Sequence, residues 1–128
     1  MFTMCPCGSE KLYENCCGSF HSGKENPLTA ESLMRSRYSA FVFKNEQYLL
    51  QTWHKSNCPK VLNLANQNIN WLGLKVLSVE AGSQQDHTGK VEFIAEFKIS
   101  EKLGKLHEIS NFIKEDSRWF YVNGKIIE

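Results

Sequence analysis

The sequence predicts an α+β chain in which a small cysteine-rich N-terminal unit precedes helices packed in a curved antiparallel sheet. Three observations predict it. Four of the five cysteines fall between positions 5 and 17. Between positions 29 and 53 the apolar residues recur at the three-to-four spacing of a helix face, and from Trp71 onward they alternate as in half-buried strands. Helices followed by a run of strands, rather than strictly alternating with them, indicate an α+β arrangement.

A chain of 128 residues can bury a core without cross-links, so one main domain plus a small appendage is expected. The 15 Lys and Arg against 14 Asp and Glu give a formal charge of +1. That balance lacks the broad attraction to phosphate backbones shown by basic proteins, and nucleic acid is not favoured as a partner. No apolar run approaches the roughly 20 residues of a membrane span, and Met1-Phe2-Thr3-Met4 lacks the basic-then-apolar pattern of a leader. The expected location is the cytoplasm, with no membrane association. In a reducing compartment clustered thiols point to metal rather than disulfides, and five cysteines cannot all pair internally.

The first element carries the chemistry. Cys5-Pro6-Cys7-Gly8-Ser9 is followed, after eight residues from Cys7, by Cys16-Cys17. Two thiols on a tight turn and two more one short loop later suit a tetrahedral ion with soft ligands, and zinc fits best. Cys5, Cys7, Cys16 and Cys17 would fill the shell, leaving no open position, so the Zn2+ is read as structural rather than catalytic. His21 is an alternate metal ligand able to replace one cysteine. Backbone amides at Gly8 and Ser9 and the cation Lys11 are candidate donors to the negatively charged cluster. Residues 11–15 suit a single helical turn presenting Cys16 and Cys17, with Gly18 as its stop. Three competing readings stay open: a vicinal disulfide at Cys16-Cys17, an iron–sulfur cluster, and unligated thiols.

Residues 19–27, polar and containing Gly23 and Pro27, read as a linker. A long helix then starts at the Thr29 cap, with Glu31 in its first turn and Ala30, Leu33, Met34, Tyr38, Phe41 and Val42 on one face, and ends at Lys44-Asn45. A second helix is expected at 46–52 and a third helical stretch at 61–67. Strands are expected at 72–81, 90–100, 105–114 and 118–122. The clearest is 90–100, where Val91, Phe93, Ala95, Phe97 and Ile99 share a face. In the next strand Leu106, Glu108, Ser110 and Phe112 oppose His107, Ile109, Asn111 and Ile113. Residues 101–104 and Asp116-Ser117 should turn the chain, and Asn123-Gly124 carries a type I′ turn signal.

Polar residues on core-facing elements define a possible pocket: Arg37, Tyr38, His54, His107 and Glu108 could bind a small anion or move a proton. Against this, His107 and Glu108 are strand neighbours pointing to opposite faces, and Arg35 and Arg37 diverge on their helix. Satisfied buried groups or exposed faces explain most such residues. No nucleophile elbow or phosphate loop is present, and Cys58 reads as an ordinary loop thiol.

Cys-Pro-Cys-Gly-Ser with Lys11, Tyr13 and Cys16-Cys17-Gly18 resembles the SEC-C motif, the zinc knuckle also found at the C terminus of the bacterial SecA translocation ATPase. The stretches 28–41, Thr52-Trp53-His54 and Leu106-His107-Glu108 resemble the uncharacterised YchJ-like bacterial proteins. Glu10 stands where the knuckle usually has a second glycine. The resemblance implies a knuckle over 1–22 and a domain over 28–128 with the nuclear transport factor 2-like (cystatin-like) cone, a curved sheet around a long helix. The closed shell and the absence of a catalytic set point to a non-enzymatic role, and the resemblance implies that the knuckle contacts another protein, as the ATPase knuckle contacts a chaperone and the ribosome. The alternative is a small enzyme or ligand-binding protein using the cone cavity.

Overall fold

The structure is a computed structural model that describes residues 3–128. Met1 and Phe2 lie outside the described residues, as does the part of the leader reading and of the 1–22 boundary that rests on them. A 3-10 turn at Tyr13–Asn15 leads into helix α1 (Cys17–His21), then α2 (Ala30–Val42) and α3 (Glu46–Gln51). After a second 3-10 turn at Leu64–Asn66 come four strands, β1 (Ile69–Ala81), β2 (Thr88–Ile99), β3 (Lys102–Glu115) and β4 (Arg118–Ile126). They form one antiparallel meander in the order β1-β2-β3-β4.

Both ends of α2 are set by local chemistry. The Thr29 hydroxyl accepts from Ser32 N at 3.0 Å, occupying one of the first-turn amides that lack a helical partner. At the other end Lys44 adopts φ +56, with Lys44 N donating to Phe41 O and Asn45 N to Ala40 O at 2.7 Å. This is a Schellman closure in which lysine takes the left-handed position that glycine usually fills. Asn45 then caps α3 by accepting from Tyr48 N.

The inner face of the sheet follows the alternation of the sequence. Val91, Phe93 and Ala95 of β2, Phe112 of β3 and Trp119 of β4 close over Ala30, Leu33, Met34 and Tyr38 of α2. Ile99, expected on the same face, is 44% exposed because the β2–β3 hairpin runs past the helix. At the start of α2, Gly82 and Gly89 let the helix rest on the sheet. A Cβ at Gly82 would lie 2.8 Å from that of Ala30, whose amide donates to Gly82 O at 2.9 Å. Register shifts in β1, at Leu72 and Leu77, and in β4, at Val122, bend the strands.

Several local expectations are corrected. Residues 61–67 make only the 3-10 turn, held from a distance by Glu46, whose carboxylate accepts from Leu62 N and Leu64 N at 3.2 Å. The connection between β2 and β3 is shorter than 101–104, being the pair Ser100-Glu101. Asn123-Gly124 is not a turn and lies inside β4, with Asn123 paired to Asn111. Asp116 and Ser117, at φ +52 and +66, have the two left-handed residues of a type I′ turn. The stretch 19–27 is only partly a connector, since α1 continues to His21.

Two substitutions test the helix ends by urea denaturation. Thr29→Ala should lower stability by about 1 kcal/mol through loss of the cap. Lys44→Gly should raise it by about 0.5–1 kcal/mol through relief of the left-handed conformation.

Candidate metal centre

The N-terminal segment folds back on itself through backbone hydrogen bonds. Cys5 N donates to Lys11 O and Tyr13 N to Thr3 O, each at 2.8 Å, and Met4 bridges to Leu12. The turn between them places Gly8 at φ +84 and Glu10 at φ +66. Glu10 therefore stands, as an L residue, in a conformation that favours glycine, which explains why the motif usually has a glycine there. The 3-10 turn Tyr13–Asn15 then delivers Cys16 and Cys17 to the start of α1. Gly18 does not stop this turn; it lies within α1, where a Cβ would meet Tyr13 O at 2.7 Å. Its role is close approach.

These turns bring the Sγ atoms of Cys5, Cys7, Cys16 and Cys17 within 4.8 Å of one another. Cys7 and Cys16 are 3.7 Å apart. Four thiolates with metal–sulfur bonds of about 2.3 Å sit about 3.8 Å from each other in a tetrahedron, so the donor set fits one ion. All five cysteines are free thiols, which sets aside the vicinal disulfide, and Cys58 lies apart with its thiol against Leu50 O and Pro59 O. Hydroxyls complete the surroundings, Ser9 Oγ at 3.1 Å from Cys16 Sγ and Ser39 Oγ at 3.5 Å from Cys5 Sγ. Within the thiol cluster, hydrogen bonds from Cys17 and then Cys7 pull Cys5 well below the ordinary thiol range, while Cys17 is pushed up by Cys5. One thiolate is favoured and the next resisted; a cation is what lets four coexist.

The nearby cation is Arg35, not Lys11. Arg35 Nη1 donates to Cys7 O at 2.6 Å while its Nε holds Glu31 at 2.9 Å, whereas Lys11 is exposed and reaches Ser9 only through its backbone amide. Further contacts press the knuckle onto α2. His21 Nε2 donates to Ser36 O at 2.8 Å, leaving Nδ1 to accept from the Tyr13 hydroxyl at 2.5 Å. With both ring nitrogens occupied and outside the sulfur cluster, His21 has no nitrogen to offer a metal. The alternate-ligand reading is corrected accordingly: His21 ties the knuckle to the helix. Tyr13 also packs edge-on against Phe43, and Ser36 Oγ hydrogen-bonds the Tyr48 hydroxyl.

Of the candidate pocket residues, Arg37, Tyr38 and Glu108 line one cavity between α2 and the sheet. His54 and His107 do not. His54 lies beside β4, its ring between Ser56 Oγ at 2.7 Å and Glu115 at 3.1 Å. His107 is on the outer face of the sheet, 2.6 Å from Glu92. Strand alternation placed Glu108 inside and so excluded its neighbour. The cavity wall holds no histidine among the described residues, so neither imidazole can act as a base there. Sequence reasoning missed Arg35, Ser36 and Ser39 as knuckle contacts. The available signal was the run of small residues Ser36, Ser39 and Ala40 at helical spacing, a face that lets other backbone approach.

Burial lowers the His21 pKa from its ordinary 6.5, so the folded chain holds the neutral ring. The unfolded chain takes up the proton first; the stabilisation is full above about pH 6.5 and is lost as pH falls through the lower folded value. His21→Gln should flatten the stability profile between pH 7 and 5 relative to the parent, both measured by denaturation. Glu10→Gly should raise stability by about 0.5–1 kcal/mol.

Comparison with known proteins agrees with this geometry. The model of the YchJ middle NTF2-like domain matches residues 29–124, and that of the SEC-C motif matches residues 4–19. A UPF0225 protein of Cupriavidus metallidurans is 47% identical, over 97% of this chain and 89% of the relative. One from Streptomyces coelicolor is 44% identical, over 97% and 96%. The solution structure of a SEC-C motif containing protein from Rhodopseudomonas palustris superposes with a TM-score of 0.86 at 30% identity, covering 98% of this chain and all of that one. A crystal structure of a SEC-C motif containing protein from Psychrobacter arcticus gives a TM-score of 0.79 at 27% identity, over 98% and 84%. A cysteine knuckle clamped to the long helix of an α+β cone thus places this chain in the YchJ-like UPF0225 family, to which it belongs along nearly its whole length.

Proposed function

We propose that the chain is a non-enzymatic, cytoplasmic zinc protein in which Cys5, Cys7, Cys16 and Cys17 hold one structural Zn2+, and whose knuckle presents its outward face to a protein partner. The closed four-sulfur cluster is the observation that carries this reading. Such a shell leaves no coordination position for substrate, so the ion shapes a surface instead of activating a bond. The inner side of the knuckle is consumed by α2, while Glu10, Lys11, Glu14 and Asn15 stay exposed and of mixed charge. Among the described residues no helix is long and apolar enough to cross a membrane.

Elemental analysis of never-chelated protein should find about one zinc per chain, and Cys16→Ser should reduce it; another metal, or none, would contradict the assignment. For the surface, the double variant Lys11→Glu with Glu14→Lys keeps the sulfur cluster and the α2 contacts. It should lose partners that the zinc-loaded parent captures from lysate, and unchanged capture would refute the role of this face.

A further inference from the structure

We propose that the cavity between α2 and the sheet is a binding site for a small, mostly apolar monocarboxylate. Its volume is about 200 Å³. A cavity of about 150 Å³ accommodates benzene, so this one suits a molecule of roughly ten non-hydrogen atoms. Trp71, Phe41, Phe93 and Ala95 supply an apolar wall for the body of such a ligand.

The polar end of the cavity is built around Arg37, two of whose nitrogens have no acceptor among the described residues. Arg37 is 5% exposed, and its guanidinium carbon lies 5.1 Å from the Trp53 ring and 4.6 Å from the Tyr121 ring. Nη1 donates to Leu49 O at 2.8 Å and to Thr52 Oγ1 at 2.7 Å, which accounts for its two hydrogens. Nε and Nη2 have no protein acceptor among the described residues, and no carboxylate stands within ion-pair distance. Burial holds the Arg37 pKa down at about 10, which still leaves a buried cation at neutral pH. Beside it, Trp53 Nε1 is a buried donor with no partner among the described residues. A buried guanidinium with two nitrogens lacking acceptors is costly, and one ligand carboxylate in the cavity would supply them.

Glu108, the acid of the cavity, is already committed. Its Oε2 accepts from Ser110 Oγ at 2.5 Å and from the Tyr121 hydroxyl at 3.3 Å. Its carboxylate lies across Gly124, where a Cβ would come within 3.0 Å of three of its atoms. An amine ligand would add a second cation beside Arg37 and leave its Nε and Nη2 unmet, so the missing group is an acceptor. Among the described residues of the wall Arg37 is the one cation and Glu108 an acid beside it, so a second ligand carboxylate would meet no cation, which limits the ligand to one.

The test is calorimetric titration of the zinc-loaded full chain with phenylacetate, phenylacetamide and 2-phenylethylamine, three probes of nearly equal shape. Phenylacetate should bind at least about tenfold more tightly than either other probe. Ala95→Leu, which fills the cavity, should abolish binding in protein that retains its metal content and circular dichroism. Absence of phenylacetate binding at millimolar concentration, equal or tighter binding of the amine, or binding undisturbed by Ala95→Leu would each overturn the proposal.

Discussion

The structure depends on α2 being approached closely from every side. The sheet covers Ala30, Leu33, Met34 and Tyr38, α3 covers Ala40 and the Ser36 hydroxyl, and the knuckle covers Ser39 and Ser36 O. Small side chains make this possible, since Ser36, Ser39 and Ala40 are fully buried and leave room for backbone and thiols that bulkier residues would displace. A helix so enclosed must satisfy its polar atoms internally. Ser36 does so with Leu33 O and Tyr48, and Arg37 does so only in part. That shortfall is what makes the cone interior chemically distinct from an ordinary core.

The two sides of α2 therefore have different chemistry. Toward the knuckle, Arg35 donates to the Cys7 carbonyl beside the sulfur cluster, and His21 acts as a neutral bridge between Tyr13 and the helix backbone. Toward the sheet, Arg37 is stacked between Trp53 and Tyr121. Two arginines two residues apart serve two separate sites because helix geometry turns them to different faces. The knuckle is accordingly not a tethered appendage. Its thiol cluster, its loop and the helix form one packed unit, and only the outward side is left exposed.

Periodicity made the fold legible. The switch from helical to alternating spacing near Trp71 located the sheet, and alternation separated Leu106, Glu108, Ser110 and Phe112 of β3 from their neighbours, while which of the two sets faces inward emerged only from the packing. Ligand spacing likewise identified the four thiols that the structure gathers. What sequence could not supply was the geometry of long-range contact. Asn123-Gly124 has the composition of a turn, but Gly124 is there so that the Glu108 carboxylate can lie across the strand. His21 has the chemistry of a ligand, but both nitrogens are engaged by groups eight and fifteen residues away in sequence. His54 and His107 point away from the cavity because of strand register and a loop pairing with β4, neither of which is written in their local sequence.

The central claim is that the four thiols with their metal hold the knuckle closed and seated on α2. Hydrogen exchange of the full chain, before and after metal removal by a chelator, tests it most directly. The amides of Cys5, Tyr13, Ser19 and Ser22, each donating to a carbonyl within the N-terminal segment, should lose protection on metal removal, while those of β2 and β3 keep it. Unchanged protection across the N-terminal segment after the metal is gone would contradict the account.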